Sequence, residues 1–152
     1  MKPLSRRRAR EIALQVLYSI DANADVDPTA ALGFYFDRFA AEEREDTPDD
    51  ADPGPADQGF VETLVREVSA HRAEIDDVLG QLSRNWRVER IARVERTILR
   101  MALYELKFRD DIPARVTINE AIELAKRFGA HDASAFVNGL LDSALTTLGI
   151  RK

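Results

Sequence analysis

An all-α fold is predicted for this chain by three observations. No segment sustains the period-two alternation of a half-buried strand, whereas apolar residues recur at spacings of three and four through most of the chain. Residues 93 to 148 divide into three consecutive helical segments, Arg93 to Phe108, about Ala114 to Phe128, and Ala133 to Leu148. Helix start and stop residues fall where those patterns begin and end.

Taken in order, Ser5 suits the cap of a helix running to about Asp21, with Ala9, Ile12, Ala13, Val16, Leu17 and Ile20 inward. Across the helix, Arg7, Glu11, Gln15 and Tyr18 fall in line, placing an aromatic ring on the outward face with the arginines. Asp27 and Pro28 form a cap and first-turn pair for a second helix to about Glu42, burying Leu32, Tyr35, Phe36 and Phe39. Residues 43 to 57, EREDTPDDADPGPAD, hold three prolines and no large apolar residue. Such a run reads as a flexible loop and the natural boundary of the chain. A third helix, about Gln58 to Arg72, buries Phe60, Val61, Leu64, Val65 and Val68, and a fourth from Ala73 to Leu82 buries Ile75, Val78, Leu79 and Leu82. Trp86 lies in the basic connection Arg84 to Arg90.

The segment from Arg93 to Phe108 is apolar on nearly every side, which in a globular protein places it at the centre of a bundle. In the next helix Ile118, Ala121, Ile122, Ala125 and Phe128 make one stripe, with Thr117 and Glu120 as a possible capping box and Gly129 as a left-handed stop. Asp132 suits the cap of the last helix, whose stripe is Phe136, Val137, Leu140, Leu141, Ala144 and Leu148 before Gly149.

The 152 residues, 45% hydrophobic, fit one domain or two half-domains sharing a core. No run reaches the roughly 18 to 20 consecutive apolar residues of a membrane span, and the basic start leads into an amphipathic helix, unlike a signal peptide. Without cysteine there are no disulfides or thiolate metal sites, consistent with a cytoplasmic address. The net charge of −5 is unevenly distributed. Residues 1 to 18 carry Lys2, Arg6, Arg7, Arg8 and Arg10 against Glu11, a net of +4, and residues 37 to 57 carry a net of −7. That asymmetry bears on partners more than the total does.

No catalytic constellation emerges. His71 and His131 stand outside any ligand spacing and read as surface histidines, no glycine-rich phosphate loop is present, and the adjacent pairs Asp76/Asp77 and Asp110/Asp111 read as solvated. The arginine cluster is the better lead, because guanidinium forks grip phosphate oxygens and Tyr18 offers a face for a base. A solubilising helix end is the alternative. Arg93, Arg96, Arg100 and Lys107 form a second basic stripe, unless Glu89 and other acids pair with them. Phe136 is core by periodicity.

Three ordered stretches, RRRAREIALQVLYSID, VERTILRMALYELKFRDDIP and INEAIELAKRFGAHDASAFVNGLLDSAL, together resemble the NusB family of bacterial transcription antitermination factors. The resemblance implies two small helical bundles in one NusB-like domain, about residues 1–83 and 84–152, with the acidic loop 43–57 longer and more negative than the family pattern. It implies no enzymatic activity, cofactor or metal. The expected partners are boxA RNA of nascent transcripts, notably of ribosomal RNA operons, ribosomal protein NusE, and the RNA polymerase antitermination complex. Carried over by position, Lys2, Arg6, Arg7, Arg10 and Tyr18 match the RNA-facing first helix. Asp132 and Phe136 match positions bordering RNA in the last helix, and Glu95 with Tyr18 matches the NusE side. Two alternatives stand beside this reading. One is a module related to the N-terminal part of ribosomal RNA cytosine methyltransferases, although the chain stops at Lys152 without room for a catalytic domain. The other is a helical adaptor that binds only protein.

Overall fold

The computed structural model describes residues 5–23, 26–42, 57–84 and 87–150. Among them are seven α-helices and no strand: α1 Arg6–Ala22, α2 Pro28–Glu42, α3 Gln58–Ala70, α4 Arg72–Leu82, α5 Arg93–Phe108, α6 Ala114–Phe128 and α7 Ala133–Leu148. A 3-10 turn, Val88–Arg90, precedes α5. Lys2, Trp86, the acidic run at 43–56 and the side chain of Phe39 lie outside the described residues. The chain divides into two units, Met1–Ser69 and Ala70–Lys152.

In the first unit the helix starts follow from local chemistry. The Ser5 hydroxyl accepts the Arg8 N–H at 3.0 Å, and the Asp27 carboxylate accepts that of Ala30 at 3.3 Å. Asp57 caps α3 in the same way, accepting the Phe60 N–H at 3.1 Å. Each cap satisfies an N–H that a helix end leaves without an intrahelical partner. The buried set of α1 is wider than its apolar stripe, since Leu14 and Arg10 are buried with Ala9, Ile12, Ala13, Val16 and Leu17. Ile20, Tyr35 and Phe36 are only half-buried, and Phe34 is exposed.

The second unit is built around α5, which contacts α4, α6 and α7. Residues 97 to 106 are buried without interruption, so this helix is the central post that its apolar content predicts. Burial all round includes polar residues, and each of these has a partner. Arg100 forms a bidentate pair with Asp76, at 2.8 and 3.0 Å. The Thr97 hydroxyl donates to the Arg93 carbonyl at 2.7 Å, and the Thr117 hydroxyl donates to Glu105 at 3.0 Å.

Several sequence expectations are corrected by this packing. Thr117 makes no capping box, because α6 starts at Ala114 and its hydroxyl is engaged with the buried Glu105. Asp76 is not simply solvated but closes the Arg100 pair. The basic stripe on α5 is largely used within the protein. Besides Arg100, Lys107 meets Glu74 at 2.9 Å, and Arg96 donates to the carbonyls of Val88, Glu89 and Ile91 at 3.2 to 3.4 Å. The Lys107 hydrogen bond holds the Glu74 carboxyl below its usual pKa. His71 is not an ordinary surface histidine, for its ring stacks on Phe108 with centroids 4.4 Å apart.

The two glycine stops differ in kind. Gly149 is left-handed, φ 67°, and Ile150 N–H donates back to the Leu145 carbonyl at 2.8 Å, a Schellman closure. Gly129 is extended, at φ −89° and ψ 179°, contrary to the left-handed stop expected there. Glycine is required by space, since a Cβ would sit 2.6 Å from the Ala133 Cβ and 2.8 Å from the Ala125 carbonyl oxygen. Gly139, in the middle of α7, has nothing within 4 Å of such a Cβ. Gly129→Ala should therefore cost about 1–3 kcal/mol through overpacking. Gly139→Ala should stabilise by about 0.5–1 kcal/mol through helix propensity. Urea unfolding of both variants checks the pair of signs.

Candidate nucleic-acid interface

The basic start of α1 is arranged by α3. Asp57 N–H donates to the Ser5 carbonyl at 3.1 Å, which docks the first turn of α3 beside the cap of α1. Phe60 in that turn is buried, and the guanidinium groups of Arg6 and Arg10 lie 4.8 and 5.0 Å from its ring centroid. Residues four apart share a helix face, so one ring serves both cations. The consequence for Arg10 departs from the sequence expectation. It is 4% exposed and belongs to the packing of the first unit, whereas Arg6 and Arg7 are exposed. Tyr18 is also exposed, at 39%, on the same helix.

In the second unit, the corner between α6 and α7 faces the first turn of α5. Glu95, in that first turn, is 6% exposed, and its Oε1 accepts the Ala130 N–H at 3.2 Å. A lone exposed acid among arginines is thus not what the fold makes of this residue. Asp132 occupies the cap position of α7 but its side chain accepts no capping hydrogen bond. It is exposed, and Phe136, one turn on, is half-buried, not fully core. Arg90, Ile91, Ala92, Glu95, Asp132, Ala133 and Phe136 line one cavity of about 190 Å³. Its mixture of an aromatic ring, an arginine, carboxylates and aliphatic wall suits a planar polar group such as a base.

The structure therefore gathers Glu95, Asp132 and Phe136 around one cavity, and Arg6 and Arg10 over one ring. Sequence reasoning did not single out Phe60, because within α3 it is indistinguishable from its apolar neighbours Val61 and Leu64. Among the described residues no group of three or more His, Asp or Glu side chains is placed to hold a metal ion, and no helix is long and apolar enough to cross a membrane.

These features define an all-helical protein with an exposed basic helix start in one unit and an aromatic-lined corner cavity in the other. The chain belongs to the NusB family, whose model matches residues 7–146. It is 48% identical over 146 residues to the transcription antitermination protein NusB of Geobacter sulfurreducens, covering 95% of this chain and 96% of that protein. Among solved structures it is similar to T. maritima NusB, with a TM-score of 0.78 and 32% identity, covering 96% of this chain and 93% of the other. It is also similar to a chain in the crystal structure of the antitermination factors NusB and NusE in complex with double-stranded RNA. There the TM-score is 0.69 at 27% identity, covering 93% of this chain and 96% of that one.

Because Phe60 packs under two guanidinium groups, Phe60→Ala should destabilise the protein by about 3–5 kcal/mol. Phe60→Leu, which keeps most of the buried area, should cost less than about 2 kcal/mol. Denaturant midpoints of the two variants give the comparison.

Proposed function

We propose that this chain is a transcription antitermination factor that binds boxA-type RNA together with NusE and acts in the RNA polymerase antitermination complex. On this reading it works in the cytoplasm, as a binding protein without catalysis, cofactor or metal. The observation that carries the reading is the near full-length similarity to a transcription antitermination protein NusB, at 48% identity over 95% of this chain. The geometry supports it in two places. Arg6 and Arg7 stand exposed at the start of α1 with Tyr18 on the same helix, a combination suited to phosphate and base. Phe136, Asp132 and Arg90 line a cavity that can take a base edge.

Within this proposal the residues divide by role. Arg6 and Arg7, with Lys2, hold phosphates; Tyr18 and Phe136 lie against bases or sugars; Asp132 borders the RNA. Arg10 contributes through its packing on Phe60, which sets the direction of the helix start. Tyr18 and Glu95 belong to the side that NusE engages. Phosphate contacts supply affinity without sequence choice, so preference for one RNA comes from base contacts such as those at Phe136.

The deciding experiment is titration of a boxA-like RNA and a scrambled RNA of equal length, each with and without NusE. Preference for the boxA-like strand, increased by NusE, is expected; equal affinities in every arm would overturn the reading. Arg6→Ala with Arg7→Ala should leave helicity intact and remove two phosphate contacts, flattening the salt dependence by about 1.4 in log–log slope at roughly 0.7 per contact. Arg10→Ala should instead lower the denaturant midpoint, in keeping with its burial.

A further inference from the structure

The resemblance gives Glu95 to the protein partner and Asp132 with Phe136 to the RNA, yet all three line one cavity, and Glu95 is bonded to the corner that carries the other two. We propose that Glu95 is a positioning residue for the RNA-bordering corner, latching the Ala130–Asp132 turn to the start of α5. The inference rests on the functional reading above and specifies how one part of that site is held.

Three observations carry it. The first is burial: at 6% exposure, most of the Glu95 side chain is packed within the protein, beside the corner that carries Asp132 and Phe136. The second is the bond itself. Ala130 precedes α7 by three residues, and its N–H donates to Glu95 Oε1 at 3.2 Å across 35 residues of sequence. An N–H held this way fixes the plane of the peptide entering the turn. The third is crowding at the preceding residue. Gly129 is extended, and a Cβ there would meet the Ala133 Cβ, the Ala125 carbonyl oxygen and, at 3.4 Å, Glu95 Oε1. The turn is therefore confined on one side by α7, on another by the end of α6, and closed by the Glu95 carboxyl group.

The local bonds of the turn do not replace this latch. The Asp132 side chain accepts no capping hydrogen bond from α7. The turn's backbone bonds are Ala133 N–H to the Ala130 carbonyl at 3.0 Å and Phe136 N–H to the Asp132 carbonyl at 3.3 Å. Both lie within the turn and α7, so neither ties them to α5. Glu95 does so through a polar contact, and its loss would let the first turn of α7, with Phe136 on it, shift relative to Arg90, Ile91 and Ala92 on the opposite wall. An RNA site dependent on a ring in a defined place loses affinity when that ring must be ordered at the moment of binding.

The positioning role and a direct charge contact with NusE are separated by a Glu95→Gln and Glu95→Ala pair. The glutamine keeps a carbonyl oxygen to accept the Ala130 N–H and discards the charge; the alanine discards both. Hydrogen–deuterium exchange, RNA titration without NusE, and NusE titration are read on each. In Glu95→Ala, exchange at the Ala130 amide should quicken about five- to tenfold, as expected for one lost hydrogen bond. RNA affinity of the isolated protein should fall about fivefold on the same grounds. Glu95→Gln should restore both to within about twofold of the wild type.

An Ala130 amide that exchanges equally fast in the wild type and Glu95→Ala would overturn the latch, whatever binds. Wild-type RNA affinity in Glu95→Ala, with NusE binding lost in both variants, would overturn it in favour of a partner charge alone. Failure of the wild-type protein to prefer the boxA-like strand would instead sink the functional reading, and with it the RNA role of the corner, while the exchange data would still report separately on the latch.

Discussion

A helix buried on all sides is tolerable only when its polar groups have partners, and α5 is held to that condition. Arg100, Glu105, Thr97 and Glu95 are all buried, and their recorded partners come from α4, α6, α5 itself and the corner before α7. Leaving one such group unsatisfied costs about 1–3 kcal/mol, more if it is charged. The apolar residues between them supply the burial energy, but the polar ones fix the neighbours in direction. Apolar contact alone would allow α4 and α6 to slide along the post; a bidentate guanidinium–carboxylate pair does not.

The same constraint explains why local signals give way in α6. Thr117 had the spacing of a capping box with Glu120, an arrangement worth about 1 kcal/mol. Glu105, at 2% exposure, has a larger claim, because a hydrogen bond to a buried carboxyl group is worth more than a cap at a solvated helix end. The hydroxyl goes to Glu105, and α6 begins a turn earlier, at Ala114. Asp132 is the complementary case, a residue type suited to capping that sits at the cap position and accepts no capping bond, leaving the corner to be held from α5.

Surface chemistry in the first unit follows a similar logic on a smaller scale. A cluster of arginines at a helix start would repel itself and point in many directions. Phe60 gives two of them a common platform, with one buried and the other exposed. Cation–π contact with a ring is worth about 0.5–2 kcal/mol, growing as the cation is desolvated. That is enough to bias side-chain direction without immobilising Arg6, which remains available to an anionic partner.

The seven helices, the caps at Ser5 and Asp27, the stop at Gly149 and the central burial of α5 were legible in the sequence. They arise from interactions within a few residues or from a periodicity that local chemistry sets. The candidate site was legible in part: the arginines, Tyr18, Glu95, Asp132 and Phe136 could be named from residue type and from family-like motifs, but their states could not. The burial of Arg10, the pairing of Arg100 with Asp76 and the engagement of Thr117 by Glu105 depend on residues 12 to 50 positions away. The bond from Ala130 to Glu95 and the cavity that brings Glu95 to Phe136 cross comparable distances. A helical pattern specifies which side chains share a face. Which of them meets a partner, and is thereby removed from solvent or left to bind something else, is decided only when the helices pack.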